Sequence, residues 1–172
     1  MLRPLFLIAL TITATPVPAQ STNPQIDYPG FQELTGAVGS YRQSHLLSWP
    51  KFKHTAGNRE ALLLDARSAD AYAAGHIKGA VNLPFTDFTA KSLAQVIGDK
   101  DRAILIYCNN NFANDEQPVP MKRRELALNI QTFINLVGYG YRNVWELSEV
   151  VDFNDPNVGW VRGAPALAKT GR

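Results

Sequence analysis

These 172 residues are expected to fold as an α/β domain with a mainly parallel sheet. Short, continuously apolar runs such as Ala61–Leu64 and Ala103–Tyr107 suit strands buried on both faces. Segments of helical period separate them, and most are closed by a glycine. No internal repeat or low-complexity tract interrupts the pattern.

The elements follow in order. Phe31, Leu34 and Val38, spaced by three and four, predict a short amphipathic helix. "WPKFKHTAGNRE" reads as a solvated turn. Ala61–Leu64 is the first buried strand and ends in Asp65. Ser68 caps a short helix to Ala74, with Gly75 as its C′ residue. Ala80–Leu83 is a second strand, Thr89–Ile97 a helix stopped by Gly98, and Ala103–Tyr107 a third strand. Leu126, Ile130, Phe133, Ile134 and Val137 place a long helix over Met121–Val137, ended by Gly138. Asn143–Trp145 is the last strand, and "DFNDPNVGW" is rich in turn residues.

Length suggests one domain, and 45% hydrophobic with 19% charged residues is ordinary for a globular one. A net charge of +2 is too small to argue for nucleic acid or an anionic membrane. Arg3, the apolar Leu5–Ile12 and the small residues at Val17-Pro18-Ala19 match a secretory signal peptide cut after Ala19. The apolar run is shorter than the ~20 residues that span a bilayer. The organisation read from this is a signal peptide (1–19), a linker and N-terminal extension packing on the domain (20–59), the domain (60–165) and a tail (166–172). The expected product is exported, periplasmic in a Gram-negative source, with no membrane span after cleavage.

Cys108 is the only cysteine, so no disulfide closes within the chain. A lone thiol in an exported protein pairs between molecules, reacts, or packs as a small buried hydrophobe. Its setting favours reaction. Ligands of open α/β sheets bind beyond the carboxyl ends of the strands. Cys108 stands at such an end, with a polar loop and then a helix behind it. Inward-turned N–H groups and a helix N-terminus would both lower the thiol pKa and hold an anion.

The run "LLLDARSADAYAAGHIKGAVNLP" resembles the signature of the rhodanese-like domain family, with Asp65, Arg67, Gly75, His76, Ile77, Gly79, Ala80 and Asn82 in order. "ILIYCNN" is similar to that family's active-site strand and cysteine, and "LVGYGYRNVWEL" to the segment after its active-site helix. The resemblance covers Ala61–Leu147 and implies a five-stranded, mainly parallel sheet flanked by helices on both faces. It implies a sulfurtransferase, with Cys108 carrying sulfane sulfur as a persulfide from a small sulfur-containing donor to a thiophilic acceptor, a protein thiol among the candidates. It implies Asn109, Asn110, Asn111, Phe112, Ala113 and Asn114 as the substrate-binding loop, Asp65 and Arg67 as its support, and no cofactor.

The loop departs from the family. A basic residue usually stands five after the cysteine, where this chain has Ala113. The phosphatase-like version ends in Arg one residue later, where this chain has Asn114. The next basic residues are Lys122 and Arg123, candidates to fold back over the site, followed by Arg124. Asp115 and Glu116 would repel an anionic donor. The segment after the last strand, "ELSEVVDFNDPNVGW", replaces a glycine-rich turn. The alternative reading is therefore a non-catalytic binding module whose loop recognises a protein partner or an anion.

Other polar residues read as structural. His76 sits in the signature's turn. His45 and His54 have no second ligand at metal spacing, so no metal site is expected. Asp115-Glu116 reads as a solvated loop, and Tyr139, Tyr141, Trp49, Trp145 and Trp160 as packing. The N-terminal extension is expected to cap the sheet rather than cover the site.

Overall fold

The computed structural model describes residues 23–163. The expected signal peptide, the cleavage position and the C-terminal tail lie outside them. The elements are α1 (Tyr28–Gln43), β1 (Leu46–Leu47), α2 (Trp49–Ala56), β2 (Leu62–Asp65), α3 (Ala69–Ala74), β3 (His76–Ile77), β4 (Val81–Asn82), α4 (Ala90–Ile97), β5 (Ile104–Tyr107), α5 (Leu128–Gly138), β6 (Val144–Leu147) and β7 (Trp160–Val161).

Five strands form one parallel sheet in the order β1-β6-β5-β2-β4. The central strands align Leu64 with Ile106 and Ile104 with Val144. Every residue of β2 and β5 is buried, as expected of strands covered on both faces. Alternation divides them. Leu62, Leu64, Ile104 and Ile106 pack under α1, α4 and α5, whereas Leu63, Leu105 and Tyr107 face α2 and α3. β3 and β7 make a separate antiparallel pair, His76 opposite Val161.

Local chemistry fixes the helix ends. Ser68 caps α3 through Ala71 N–H. Thr89 and Ser92 form a reciprocal capping box on α4, and Gly98 takes a φ of 81° beyond its end. Gly75 ends α3 for a different reason than a left-handed turn. Its φ of 164° is extended backbone, but a Cβ there would stand 2.3 Å from the Trp160 indole nitrogen.

Three expectations change. The "WPKFKHTAGNRE" stretch is not a solvated turn. Pro50 opens α2, and Phe52 is buried completely beneath the sheet. The edge strand β1 also precedes it, so part of the expected extension belongs to the sheet itself. The long helix starts at Leu128, seven residues later than its apolar spacing suggests. Asn110 captures both the N–H and the carbonyl of Lys122, and Asp115 Oδ1 accepts from Met121 N–H, holding that segment away from a helix. In α1, Val38 is buried and Leu34 half-buried, while Phe31 is exposed.

Candidate active site

Cys108 lies immediately after β5, one step beyond Tyr107. Its backbone is extended, and its N–H donates to Asn111 Oδ1 at 2.9 Å. One 3-10 turn, Asn109–Asn111, follows. The Asn111 N–H donates to the Cys108 carbonyl oxygen at 3.1 Å and lies against the sulfur. Asn111 Nδ2 donates to the carbonyls of Leu147 (2.8 Å) and Glu149 (3.0 Å), tying the turn to the end of β6. Asn109 Nδ2 donates to the Pro120 carbonyl at 3.0 Å. The three asparagines thus spend their side-chain amides on backbone carbonyls, of the loop for Asn109 and Asn110 and of the β6 end for Asn111, which accounts for their clustering.

The sulfur faces a cleft of about 220 Å³, lined among others by Arg42, Asn110, Arg124, Asn129 and Glu146. Burial pushes the Cys108 thiol up. The N–H groups of Asn129, Asn110 and Leu128 point at the sulfur and pull it back, while the Glu146 carboxylate pushes it further up. The net direction is upward, which corrects the expectation of a lowered thiol. Inward N–H donors are present and include the start of α5, but burial and a neighbouring carboxylate outweigh them. Alkylation of Cys108 by iodoacetamide is therefore expected to lag free cysteine at pH 7 and to climb as the pH rises, because less thiolate is present at neutrality. A rate at pH 7 equal to that of free cysteine, followed by intact mass, would contradict this assignment.

Of the six residues of the expected loop, Asn109 to Asn114, two meet the cleft. Cys108, Asn110 and Asn111 line it. Phe112 is fully buried in an aromatic cluster with Tyr107, Phe153 and Trp160. Ala113 N–H donates to the Val151 carbonyl at 3.0 Å, and Asn114 Nδ2 to Asp152 Oδ1 at 2.8 Å. The loop leaves the cleft after one turn and runs beside Val151, so Phe112, Ala113 and Asn114 do not line it. Asp115 is occupied by Met121 N–H.

The basic side chains at the cleft are Arg42 and Arg124, not Lys122 and Arg123. Arg123 is exposed and stands 3.7 Å from Glu125. Arg42 comes from the last turn of α1, so the N-terminal helix both packs on the domain and reaches the site. Its guanidinium grips Glu146 with Nε–Oε2 at 2.5 Å and Nη2–Oε1 at 2.6 Å. Asn129 Nδ2 donates to Asn111 Oδ1 (2.9 Å) and to Glu146 Oε1 (3.2 Å). Glu146 carried a signal: a carboxylate inside the apolar strand "VWEL" needs a buried partner. Nothing local in the sequence names Arg42 as that partner.

Asp65 and Arg67 support the loop from below. Arg67 Nη2 reaches Asp65 Oδ2 at 2.5 Å and the Gly75 carbonyl at 2.7 Å, and Nη1 reaches the Pro118 carbonyl at 3.3 Å. Tyr107 OH donates to Asp65 Oδ2 at 2.7 Å and accepts from Ile77 N–H. Asn82 Nδ2 donates to the carbonyls of Asp65 and Arg67. His76 stacks on Tyr72 at 3.7 Å and places Nδ1 against the Tyr72 carbonyl, away from the cleft. His45 lies between Tyr41 and Trp145. Among the described residues, no group of three or more His, Cys, Asp or Glu is placed to hold a metal ion.

The arrangement can hold a sulfur anion at the end of a parallel strand. The chain is similar to known proteins over part of its length. A regulator of the helix-turn-helix type from Mycobacterium tuberculosis is 42% identical over 53 residues, 31% of this chain and 22% of that protein. The chain thus spans about a fifth of the length of this curated relative. Among solved structures, the Alr3790 protein of Anabaena sp. is similar at 26% identity, over 59% of this chain and 68% of that one, with a TM-score of 0.41. The polysulfide-sulfur transferase homodimer of Wolinella succinogenes is similar at 15% identity, over 68% and 77%, with a TM-score of 0.40. A family model described as the rhodanese-like domain matches residues 48–149, more than half of the sequence and all of the cleft lining except Arg42, Leu46 and Val150. The chain belongs to the rhodanese-like domain family.

Proposed function

We propose that this chain is a sulfurtransferase in which Cys108 carries a sulfane sulfur as a persulfide. The observation that supports it most is the sulfur of Cys108 on the wall of a cleft, met by the N–H groups of Asn110, Leu128 and Asn129. Cys108 first loses its proton to solvent. With thiosulfate as donor, the thiolate attacks the outer sulfur, a new S–S bond forms, and sulfite departs with the electron pair of the broken one. An acceptor thiolate then attacks the terminal sulfur, and Cys108 leaves as thiolate. No external oxidant or reductant enters the cycle, and amide donors stabilise the sulfur anion at both ends.

The physiological partners in this reading are a small sulfur-containing donor and a thiophilic acceptor, a protein thiol included. The thiol's upward shift favours a second reading, a binding module that recognises a partner or an anion without turnover. We also propose export with cleavage after Ala19.

Intact mass spectrometry decides among these. Protein recovered from the exported fraction would be incubated with thiosulfate or with a small organic persulfide, beside Cys108→Ser. The gain of one sulfur atom, absent in the variant and removed by cyanide, is the expected result. A reduced thiol that gains nothing from either donor would leave the binding module as the function. The same spectrum reads the N-terminus, expected at Gln20, and a mass that retains residues 1–19 would refute the cleavage.

A further inference from the structure

We propose that Arg42, on a helix that precedes the matched family domain, is a positioning residue of the cleft. By gripping Glu146 it offsets part of the carboxylate charge beside Cys108 and so eases the cost of negative charge on the sulfur. The inference rests on reading Cys108 as the sulfur carrier, but its geometry stands independently.

Four charged side chains face the cleft: Arg42 from α1, Arg124 from the segment before α5, Glu146 from β6 and Glu149 after it. Glu149 is tied to Trp49 N–H at 3.0 Å, and Arg124 has no ion pair among the described residues. Glu146 is the buried member, its side chain only 6% exposed. A carboxylate so placed raises the cost of any second negative charge nearby. Both its oxygens are taken by the two-point grip of Arg42, and one also by Asn129. Asn129 continues to Asn111, whose oxygen holds the Cys108 N–H. The pair is therefore linked to the cysteine through two amides as well as through space. The grip needs a planar fork, which lysine lacks.

The helix that delivers Arg42 is itself fixed. Val38 and Leu34 pack in the core against α5, and Tyr41 OH donates to the Arg142 carbonyl. A helix required only to cover apolar surface would not need a two-point ion pair directed at the cysteine's cleft.

The test uses the full chain carrying Arg42→Gln, Glu146→Gln or both, with circular dichroism to confirm folding. The readout is the rate of Cys108 alkylation by iodoacetamide against pH, unambiguous because no other cysteine exists. Arg42→Gln is expected to shift the profile to higher pH, Glu146→Gln to lower pH, and the double variant to lie between them. At pH 7, Glu146→Gln should react roughly threefold faster, the gain in thiolate outweighing a lower intrinsic nucleophilicity. Shifts of the same sign in both single variants, or none in either, would overturn the proposal. Should Arg42→Gln fail to fold, the nearly isosteric Glu146→Gln decides alone: an unchanged or slower rate overturns it. Alkylation needs no persulfide. Opposite shifts without sulfur loading would sink only the sulfurtransferase reading, and loading without shifts only the role of Arg42.

Discussion

Asp65→Ala is expected to lower the free energy of unfolding by about 3–5 kcal/mol, the usual cost of removing one partner from a buried ion pair. Asp65 is fully buried at the end of β2, and Arg67 is 3% exposed. Burial alone would lower the Arg67 guanidinium, but its hydrogen bonds and charge pairing with Asp65 prevail and raise it. Truncation strands that cation among Tyr107, Trp160 and backbone carbonyls. It also takes the acceptor from Tyr107 OH and the carboxylate that holds the Arg67 N–H. A typical domain is stable by about 5–15 kcal/mol, so the variant approaches its unfolding limit. Asp65→Asn keeps an acceptor oxygen of similar size and should lose less. Urea unfolding of the two variants checks the order. A loss below about 1 kcal/mol for Asp65→Ala would mean that the pair does not hold this part of the fold.

Why this pair was legible, and the Arg42–Glu146 pair was not, is a matter of sequence distance. Asp65 and Arg67 are two residues apart at a strand end, inside a run whose glycines and Asn82 already identify the family. The strands β2, β4, β5 and β6, with α3, were readable for the same local reason, since periodicity and capping act within a few residues, whereas β1, β3 and β7 were not. Arg42 meets Glu146 across 104 residues, and only the sheet order that sets β1 beside β6 brings them together. The start of α5 was misplaced by a similar distant influence. Leu126 continues the apolar spacing, but Asn110 and Asp115 hold the backbone of Met121 and Lys122 from outside the helix. Propensity within a window cannot register a competitor that arrives from another part of the chain. The direction of the Cys108 shift was misjudged because burial and the nearby Glu146 are both tertiary facts.

Phe112→Ala should likewise cost about 3–5 kcal/mol, because it empties a fully buried aromatic site. The ring is wholly buried, edge-on to Tyr107 with centroids 5.9 Å apart and to Trp160 at 5.0 Å. Its neighbours come from β5, β7 and the loop holding Phe153, so relaxation of any one cannot refill the space without moving the others. The same geometry separates stability from reactivity. Phe112 lies four residues beyond Cys108 but outside the cleft lining, so alkylation of Cys108 within the folded population should change by less than about twofold, while the unfolding midpoint falls sharply. Phe112→Leu restores most of the volume and should recover much of the lost stability. The contrary pattern, near-native stability with a large change in Cys108 reactivity, would return Phe112 to the substrate loop. The two patterns separate cleanly because a residue that touches the ligand acts on rates, whereas one that fills the core acts on the population that is folded at all.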